Sequence, residues 1–304
     1  MKLKTTNLLT LAELSSKEFS KLIDYSIKLK KELKKGQNKP LLKNKTLTMI
    51  FQKPSTRTRV SFEIGMFQLG GKAINLSSSE MQLSRGESVD DTAKTLSRYT
   101  DCIMARVYDH ELLENLAKHA TIPVINGLSD TFHPCQILAD FMTIKEKKKQ
   151  LKGLKLSWIG DGNNVCNSMI HGCALSQMNM SIATPKGFEP NSKVVKEGQK
   201  LTSIELTTDP QKAIKNADVV VTDTFSSIHN TDPKRTKKFL PKYQVNSKLM
   251  KLAKKDAIFM HCLPAKRGSE VTSSVIDGPQ SVVWDEAENR LHSQKALLVF
   301  LINA

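Results

Sequence analysis

Along this chain, short apolar runs alternate with longer stretches whose apolar residues return every three or four positions. These are the signatures of buried strands and one-sided helices. Ser15-x-x-Glu18 is a capping box, and Phe19, Leu22, Ile23 and Ile27 supply the stripe of a first helix that runs out in lysines near Gly36. Residues 47–51 predict a buried strand, and a helix from about 55 to 69 follows it. There Val60, Ile64 and Phe67 form one row and Phe62, Met66 and Leu69 the next, which predicts a broad buried face ending at Gly70-Gly71. A strand at 72–76 leads into 77–87, too polar for a core and a candidate mobile loop. The helix at 88–99, strand 102–107, helix 110–119 and strand 122–125 continue the alternation. A further helix opens at His133-Pro134 and ends in the charged run before Gly153.

A second series begins there. Strands are predicted at 154–159, 180–183, 204–206, 219–222, 257–260 and 282–284, with helices at 164–178, 192–201, 211–216, 236–254 and 286–301. Such alternation argues for an α/β chain of mostly parallel sheets covered by helices, and the lysine-rich break at 146–153 separates two of them. A length of 304 residues accommodates about two domains. The expected division is 1–148, joined by the C-terminal helix 286–304, and 149–285.

Composition narrows the class. No apolar run approaches the roughly 20 residues that cross a bilayer, so no membrane partner is expected. The opening lysines precede an apolar patch too short for a secretion signal, and a cytoplasmic location follows. The five cysteines are odd in number and scattered, which argues against a disulfide framework, and none falls in the spacing of a metal site, so no metal is expected. A formal net charge of +16 raises nucleic acid as a partner. The lysines, however, lie in solvated runs such as 28–35 and 145–149, and aromatic residues are only 6%, so no stacking platform accompanies them. Small anionic substrates are the more economical account, and no nucleic acid partner is expected.

The chemistry concentrates first at Lys53-Pro54-Ser55-Thr56-Arg57-Thr58-Arg59. This stretch occupies a predicted strand-to-helix turn, where unpaired backbone N–H groups and the helix dipole favour an anion, and three hydroxyls with three cations reinforce them. Arg106, residues 161–164, Asp223 and His261-Cys262 also fall at the carboxyl ends of predicted strands. Open α/β sheets bind ligands at that edge, so these residues are expected to share one interdomain cleft. Gly160-Asp161-Gly162 after a strand offers a competing dinucleotide-binding reading. It lacks the third glycine of that fingerprint, and Cys166 follows instead.

Phe51-x-Lys53-x-Ser55-Thr56-Arg57-Thr58-Arg59-Val60-Ser61-Phe62-Glu63, His133-Pro134-Cys135-Gln136, Asp161-Gly162-Asn163-Asn164, Thr222-Asp223-Thr224 and His261-Cys262-Leu263-Pro264 together resemble the aspartate/ornithine carbamoyltransferase family. The two His motifs resemble its ornithine branch, and the match runs almost end to end. The resemblance implies transfer of a carbamoyl group from carbamoyl phosphate to the side-chain amine of L-ornithine, without a cofactor, most simply in arginine biosynthesis. A related amine such as putrescine or acetylornithine is the alternative acceptor. It implies that Ser55, Thr56, Arg57 and Thr58 hold the phosphate, with Arg106, His133 and Gln136 at the carbamoyl end. Arg57, Arg106 and His133 would act in catalysis with Cys262, which would touch the amine beside Leu263. Asn164, Asp223, Ser227 and Ile228 would grip ornithine. Arg290 would return from the last helix to the carbamoyl phosphate site. Gln82 would reach a neighbouring subunit's site, in a homotrimer with shared sites. One departure stands out: the branch's Trp-x-Ser-Met-Gly is here Phe225-Ser226-Ser227-Ile228-His229.

Overall fold

The computed structural model describes residues 3–226 and 233–303. The chain divides into two compact units, residues 1–142 with 288–304 and residues 143–287. Among the described residues no helix is long and apolar enough to cross a membrane.

The first unit contains α1 (Ser16–Lys34), β1 (Thr46–Phe51), α2 (Thr56–Gln68), β2 (Lys72–Ser77), α3 (Val89–Tyr99), β3 (Cys102–Arg106), α4 (His110–His119), β4 (Val124–Leu128) and the start of α5 (Pro134–Lys148). All four strands are parallel, in the order β2-β1-β3-β4. Local chemistry sets the helix starts. Ser15 Oγ accepts from Glu18 N at 3.3 Å while Glu18 Oε2 accepts from Ser15 N at 2.9 Å, and the Ser88 and Asp109 side chains cap α3 and α4 by accepting from Asp91 N and Glu111 N. Ile50, Ile103, Ala105, Val107, Leu113 and Leu116 pack as one buried cluster between strands and helices.

The second unit contains β5 (Lys155–Ile159), α6 (Asn164–Ser176), β6 (Asn179–Ala183), α7 (Ser192–Gln199), β7 (Ile204–Thr207), α8 (Pro210–Ile214), β8 (Val219–Val221), α9 (Pro233–Thr236), α10 (Ser247–Met250), β9 (Ile258–Met260), α11 (Ser273–Ile276) and the first turn of α12 (Val283–Ile302). Its five strands are again parallel, ordered β7-β6-β5-β8-β9. Each sheet therefore reverses its winding once. The reversal lies between β1 and β3 in the first unit and between β5 and β8 in the second. Helices leave such a switch point on opposite faces, which opens a crevice at the carboxyl edge of the strands.

Several expectations need correction. In α2 only the Thr58, Phe62, Gly65, Met66 side is buried, while Val60, Ile64 and Phe67 are exposed, Phe67 by 76%. The buried face is thus narrower than the two rows predicted. The helix expected over 236–254 is two short helices, α9 and α10, separated by turns. Pro241 interrupts it, because proline has no N–H to donate and its ring displaces the preceding turn. Residues 282–284 form no strand, since Val283 and Trp284 already belong to α12. β4 lies later than predicted, because its ladder pairs Ile103 with Val124 and Arg106 with Leu128.

The turn after β5 explains its own glycines. Gly162 N donates to Phe188 O at 2.8 Å, and a Cβ at Gly162 would lie 2.2 Å from Pro190 N and 2.6 Å from Phe188 O. Gly160 has φ +135° and a Cβ there would come within 3.1 Å of the Phe225 ring. Close packing against 188–190 and Phe225 requires both residues, so the Gly-Asp-Gly spacing needs no dinucleotide to account for it. Gly162→Ala meets backbone rather than flexible side chains, and its overpacking should cost about 2–3 kcal/mol. The expected outcome is a thermal midpoint lower by roughly 5–10 °C, measured by circular dichroism, whereas Gly65→Ala, whose new Cβ would meet the Lys295 side chain at 3.4 Å and Leu291 at 3.8 Å, should lower it far less.

Candidate active site

In the first unit the carboxyl edge of β1 leads through Gln52, Lys53 and Pro54 into α2. Ser55 stands at the N-cap in an extended conformation (φ −156°, ψ 105°), but its side chain makes no capping hydrogen bond. The first N–H groups of a helix have no acceptor within it, and here the nearest hydroxyl does not take one. Thr56 is exposed and Arg57 half-buried beside it. Arg59 turns outward to Glu63 at 3.2 Å and is more than half exposed, so the turn gathers fewer cations than the sequence suggested. Lys53 is buried, with Nζ 3.5 Å from the centre of the Tyr108 ring. Its ammonium is held below the usual lysine range, first by burial and then by Arg106, with Asp130 opposing.

Thr58 is the meeting point. Its Oγ1 accepts from Arg106 Nη1 at 3.5 Å, at the end of β3, and from Arg290 Nη2 at 3.4 Å, on α12. Arg290 Nη1 also donates to Gln136 Oε1 at 2.7 Å, and Gln136 Nε2 donates to Asp140 Oδ1 at 2.8 Å. Residues 58, 106, 136 and 290 thereby join four elements around one spot beside the switch point. His133, immediately before α5, is buried. Its imidazole is driven well below the ordinary histidine range, by burial first and then by the guanidinium groups of Arg290, Arg106 and Arg57. It is a neutral ring among three cations. Gln82 lies on an exposed 3-10 turn, Gln82–Arg85, and takes no part in the hydrogen bonds around Thr58.

The second unit assembles its own group at the switch between β5 and β8. Thr222 Oγ1 donates to Ile159 O at 2.6 Å, tying the two strand ends. Asp223 Oδ1 accepts from Thr224 N at 2.7 Å and from the Cys262 thiol at 3.2 Å, and its Oδ2 accepts from Asn163 Nδ2 at 2.7 Å. Asn163 was not among the expected binding residues, although it stands in the quoted motif. Its Oδ1 caps α6 by accepting from Val165 N and Cys166 N, which leaves its amide nitrogen aimed at Asp223. Asn164, the next residue, is buried at the helix start. Leu263 adopts a left-handed backbone (φ 56°), unusual for a leucine, with its N–H donated to His261 Nδ1 at 2.9 Å. His261 Nε2 lies 3.3 Å from Glu270 Oε1, and both residues are fully buried. Asp223, His261 and Cys262 offer ligand atoms within 4.8 Å of one another, but the imidazole nitrogens already face Leu263 and Glu270.

Among the five free cysteines Cys262 alone is partly exposed. Burial pushes the Cys135 thiol up to about 12 and raises those of Cys102, Cys166 and Cys173 as well, so these four are packing residues. Ser227, Ile228 and His229 lie outside the described residues. Arg57, Thr58, Arg106, His133, Gln136 and Arg290 form one group, and Asn164, Asp223, Cys262 and Leu263 lie at the edge of the other sheet.

His110 and His292 share the depressed pKa of His133. Burial is the first cause at His110, and at His292, lowered to about 4, burial is joined by Lys295 and Lys30. In each case the folded value lies below the unfolded one near 6.5. As pH falls through about 6.5 the unfolded chain binds protons that the folded chain refuses, and stability drops. The loss should be on the order of 1 kcal/mol each for His133 and His292 between pH 7 and 5.5, before most carboxylates titrate. Urea midpoints measured across that interval should fall steadily, and Arg290→Gln should move the His133 imidazole titration, followed by NMR, upward.

Comparison with known proteins agrees with this geometry. Residues 6–146 match the profile described as aspartate/ornithine carbamoyltransferase, carbamoyl-P binding domain, and residues 152–301 match the Asp/Orn binding domain of the same family. The ornithine carbamoyltransferase of Cenarchaeum symbiosum is 62% identical over 302 residues, covering 99% of each chain. The anabolic ornithine carbamoyltransferase of Pyrococcus furiosus is 52% identical over 303 residues, covering 97% of this chain and 96% of its own. A solved structure of ornithine carbamoyltransferase from Pyrococcus furiosus superposes with a TM-score of 0.94 at 51% identity, covering 98% of this chain and 97% of that one. On the order of its strands, the residues gathered at their ends and these matches over nearly its whole length, the chain belongs to the aspartate/ornithine carbamoyltransferase family.

Proposed function

We propose that the protein transfers the carbamoyl group of carbamoyl phosphate to the side-chain amine of L-ornithine, giving L-citrulline and phosphate, as a step of arginine biosynthesis. The observation that carries the reading is the convergence of Arg57, Arg106 and Arg290 on a neutral His133 beside the N-terminus of α2. Residues 1–148 with 286–304 bind carbamoyl phosphate in this reading, and 149–285 bind the amino acid. The N-terminal N–H groups of α2, with Ser55, Thr56, Arg57 and Thr58, hold the phosphate. Arg106, His133, Gln136 and Arg290 surround the carbamoyl end.

The amine lone pair attacks the carbonyl carbon, and charge grows on the carbonyl oxygen. Arg57, Arg106 and His133 offset that charge, which is where fixed donors lower a barrier most. The bond from carbon to the phosphate oxygen then breaks, phosphate leaves with the electron pair, and the nitrogen gives up a proton. An amine attacks only when neutral, and its free pKa is about 10. Cys262 and the carbonyls beside Leu263 orient it; no covalent intermediate on Cys262 is needed. Asp223 and Asn164, with Ser227 and Ile228, hold the α-amino and α-carboxylate groups.

The active assembly in this reading is a homotrimer in which Gln82 reaches a neighbour's site. Support comes from the exposed row Val60, Ile64 and Phe67 on α2 with Ile74 on the edge strand β2, an apolar surface that water alone covers poorly. Five cysteines outside any disulfide suit a reducing cytoplasm.

Citrulline and phosphate should appear in equal amounts from carbamoyl phosphate and ornithine. Putrescine, acetylornithine and lysine should be slower, and a faster rate with any of them would reassign the acceptor, a question raised by Ile228 and His229. Arg57→Ala should lower turnover on the order of 100-fold or more while leaving the thermal midpoint close to wild type. Phe67→Glu should convert the trimer to a smaller species by light scattering; an unchanged mass would remove α2 from the interface.

A further inference from the structure

One half-buried cation in the second unit, Arg235, is not accounted for by the chemistry above. Arg235, on α9, pairs with Asp161 at the end of β5 and donates Nε to Phe225 O at 3.1 Å. Its guanidinium lies 4.6 Å from the centre of the Phe188 ring and 5.8 Å from that of Phe239. Phe225 and Phe239 stack with centroids 4.5 Å apart, and Phe188 meets Phe239 edge-on at 4.8 Å. Arg235 therefore grips both strand ends at the switch point, β5 through Asp161 and the segment after β8 through Phe225, two residues beyond Asp223.

Asp161 and Asp223 are both buried and sit at the ends of neighbouring parallel strands. Burial pushes the Asp161 carboxyl up and Asp223 pushes it further, while Arg235 pulls it down. Asp161 has a cation of its own; among the described residues the hydrogen bonds to Asp223 come from the neutral donors Thr224 N, Asn163 and Cys262. Two like charges at adjacent strand ends without that cation would repel, and one would take up a proton.

We infer that Arg235 is a positioning residue of the amino-acid half-site: it neutralises Asp161 and fixes the segment from Asp223 to Phe225, so that Asp223 alone presents negative charge to the substrate ammonium. The inference rests on the assignment of Asp223 to the amino acid made above. An arginine suits the place because one planar group stacks on rings through its face and donates through two edges. Lysine keeps the charge but offers neither the flat face nor the second directed donor.

The test is steady-state kinetics on the full chain. Arg235→Met should raise KM for ornithine about tenfold or more, with kcat and KM for carbamoyl phosphate within about threefold of wild type. Arg235→Lys should show a smaller rise in the same parameter. Asp161→Asn placed in the Arg235→Met background should recover part of the ornithine KM, because it removes the charge that Arg235 offset. A purely structural role would lower kcat in proportion to lost folded protein and leave both KM values alone. That result overturns the inference, as does an unchanged ornithine KM in Arg235→Met. If Arg235→Met fails to fold, an Arg235→Lys enzyme with wild-type ornithine KM overturns it equally. Absence of citrulline from the wild-type chain overturns the underlying reading, whereas normal wild-type turnover with an indifferent Arg235 overturns this step alone.

Discussion

Parallel pairing is the constraint on which the rest of this structure depends. A parallel strand cannot return through a tight turn, so within each sheet every strand but the last hands the chain to a longer connection that brings it back to the starting edge. All strands of a sheet then end on the same side. Residues as distant as Thr58 and Arg106 are brought together because β1 and β3 are neighbours, and Asp161 and Asp223 because β5 and β8 are. In both units the winding reverses at the pair of strands whose ends carry the chemistry. The coincidence follows from the crevice that a reversal leaves between helices on opposite faces.

The two edges answer opposite electrostatic demands. In the first unit Arg57, Arg106 and Arg290 crowd a buried imidazole, and the result is a neutral histidine in a strongly positive place. The hydrogen bonds among Thr58, Gln136 and Arg290 hold the cations at fixed positions despite their mutual repulsion. In the second unit two buried carboxylates face the edge, one matched by Arg235 and the other surrounded by neutral donors. In the reading proposed, one surface is preorganised for an anion and the other for an ammonium group, and neither arrangement needs a metal or a cofactor.

Local signals in the chain were read where the physics is local. The capping box at Ser15 and Glu18, the strand-to-helix turn before Thr56 and the alternation of elements rest on hydrogen bonds and spacings within a few residues. Errors arose where distant partners decide. Val60, Ile64 and Phe67 have the spacing of a core row, yet the core takes only the face through Phe62 and Met66. Spacing reports that residues share a face, not which other surface covers it. The long helix expected over 236–254 is the exception, because the signal that divides it, Pro241, is itself local.

The sequence by itself determined the alternating α/β class, the strand ends that carry polar residues and the motifs that mark the family. Periodicity, turn chemistry and motif spacing are properties of neighbouring positions. Only the tertiary structure decided that Thr58 joins Arg106 and Arg290, that Asn163 turns its amide to Asp223, and that Arg235 spans Asp161 and Phe225. These contacts join residues that are 10 to 232 positions apart. Their geometry is set by sheet order and by the cost of burying a charge without a partner, and neither is written at any one position of the chain.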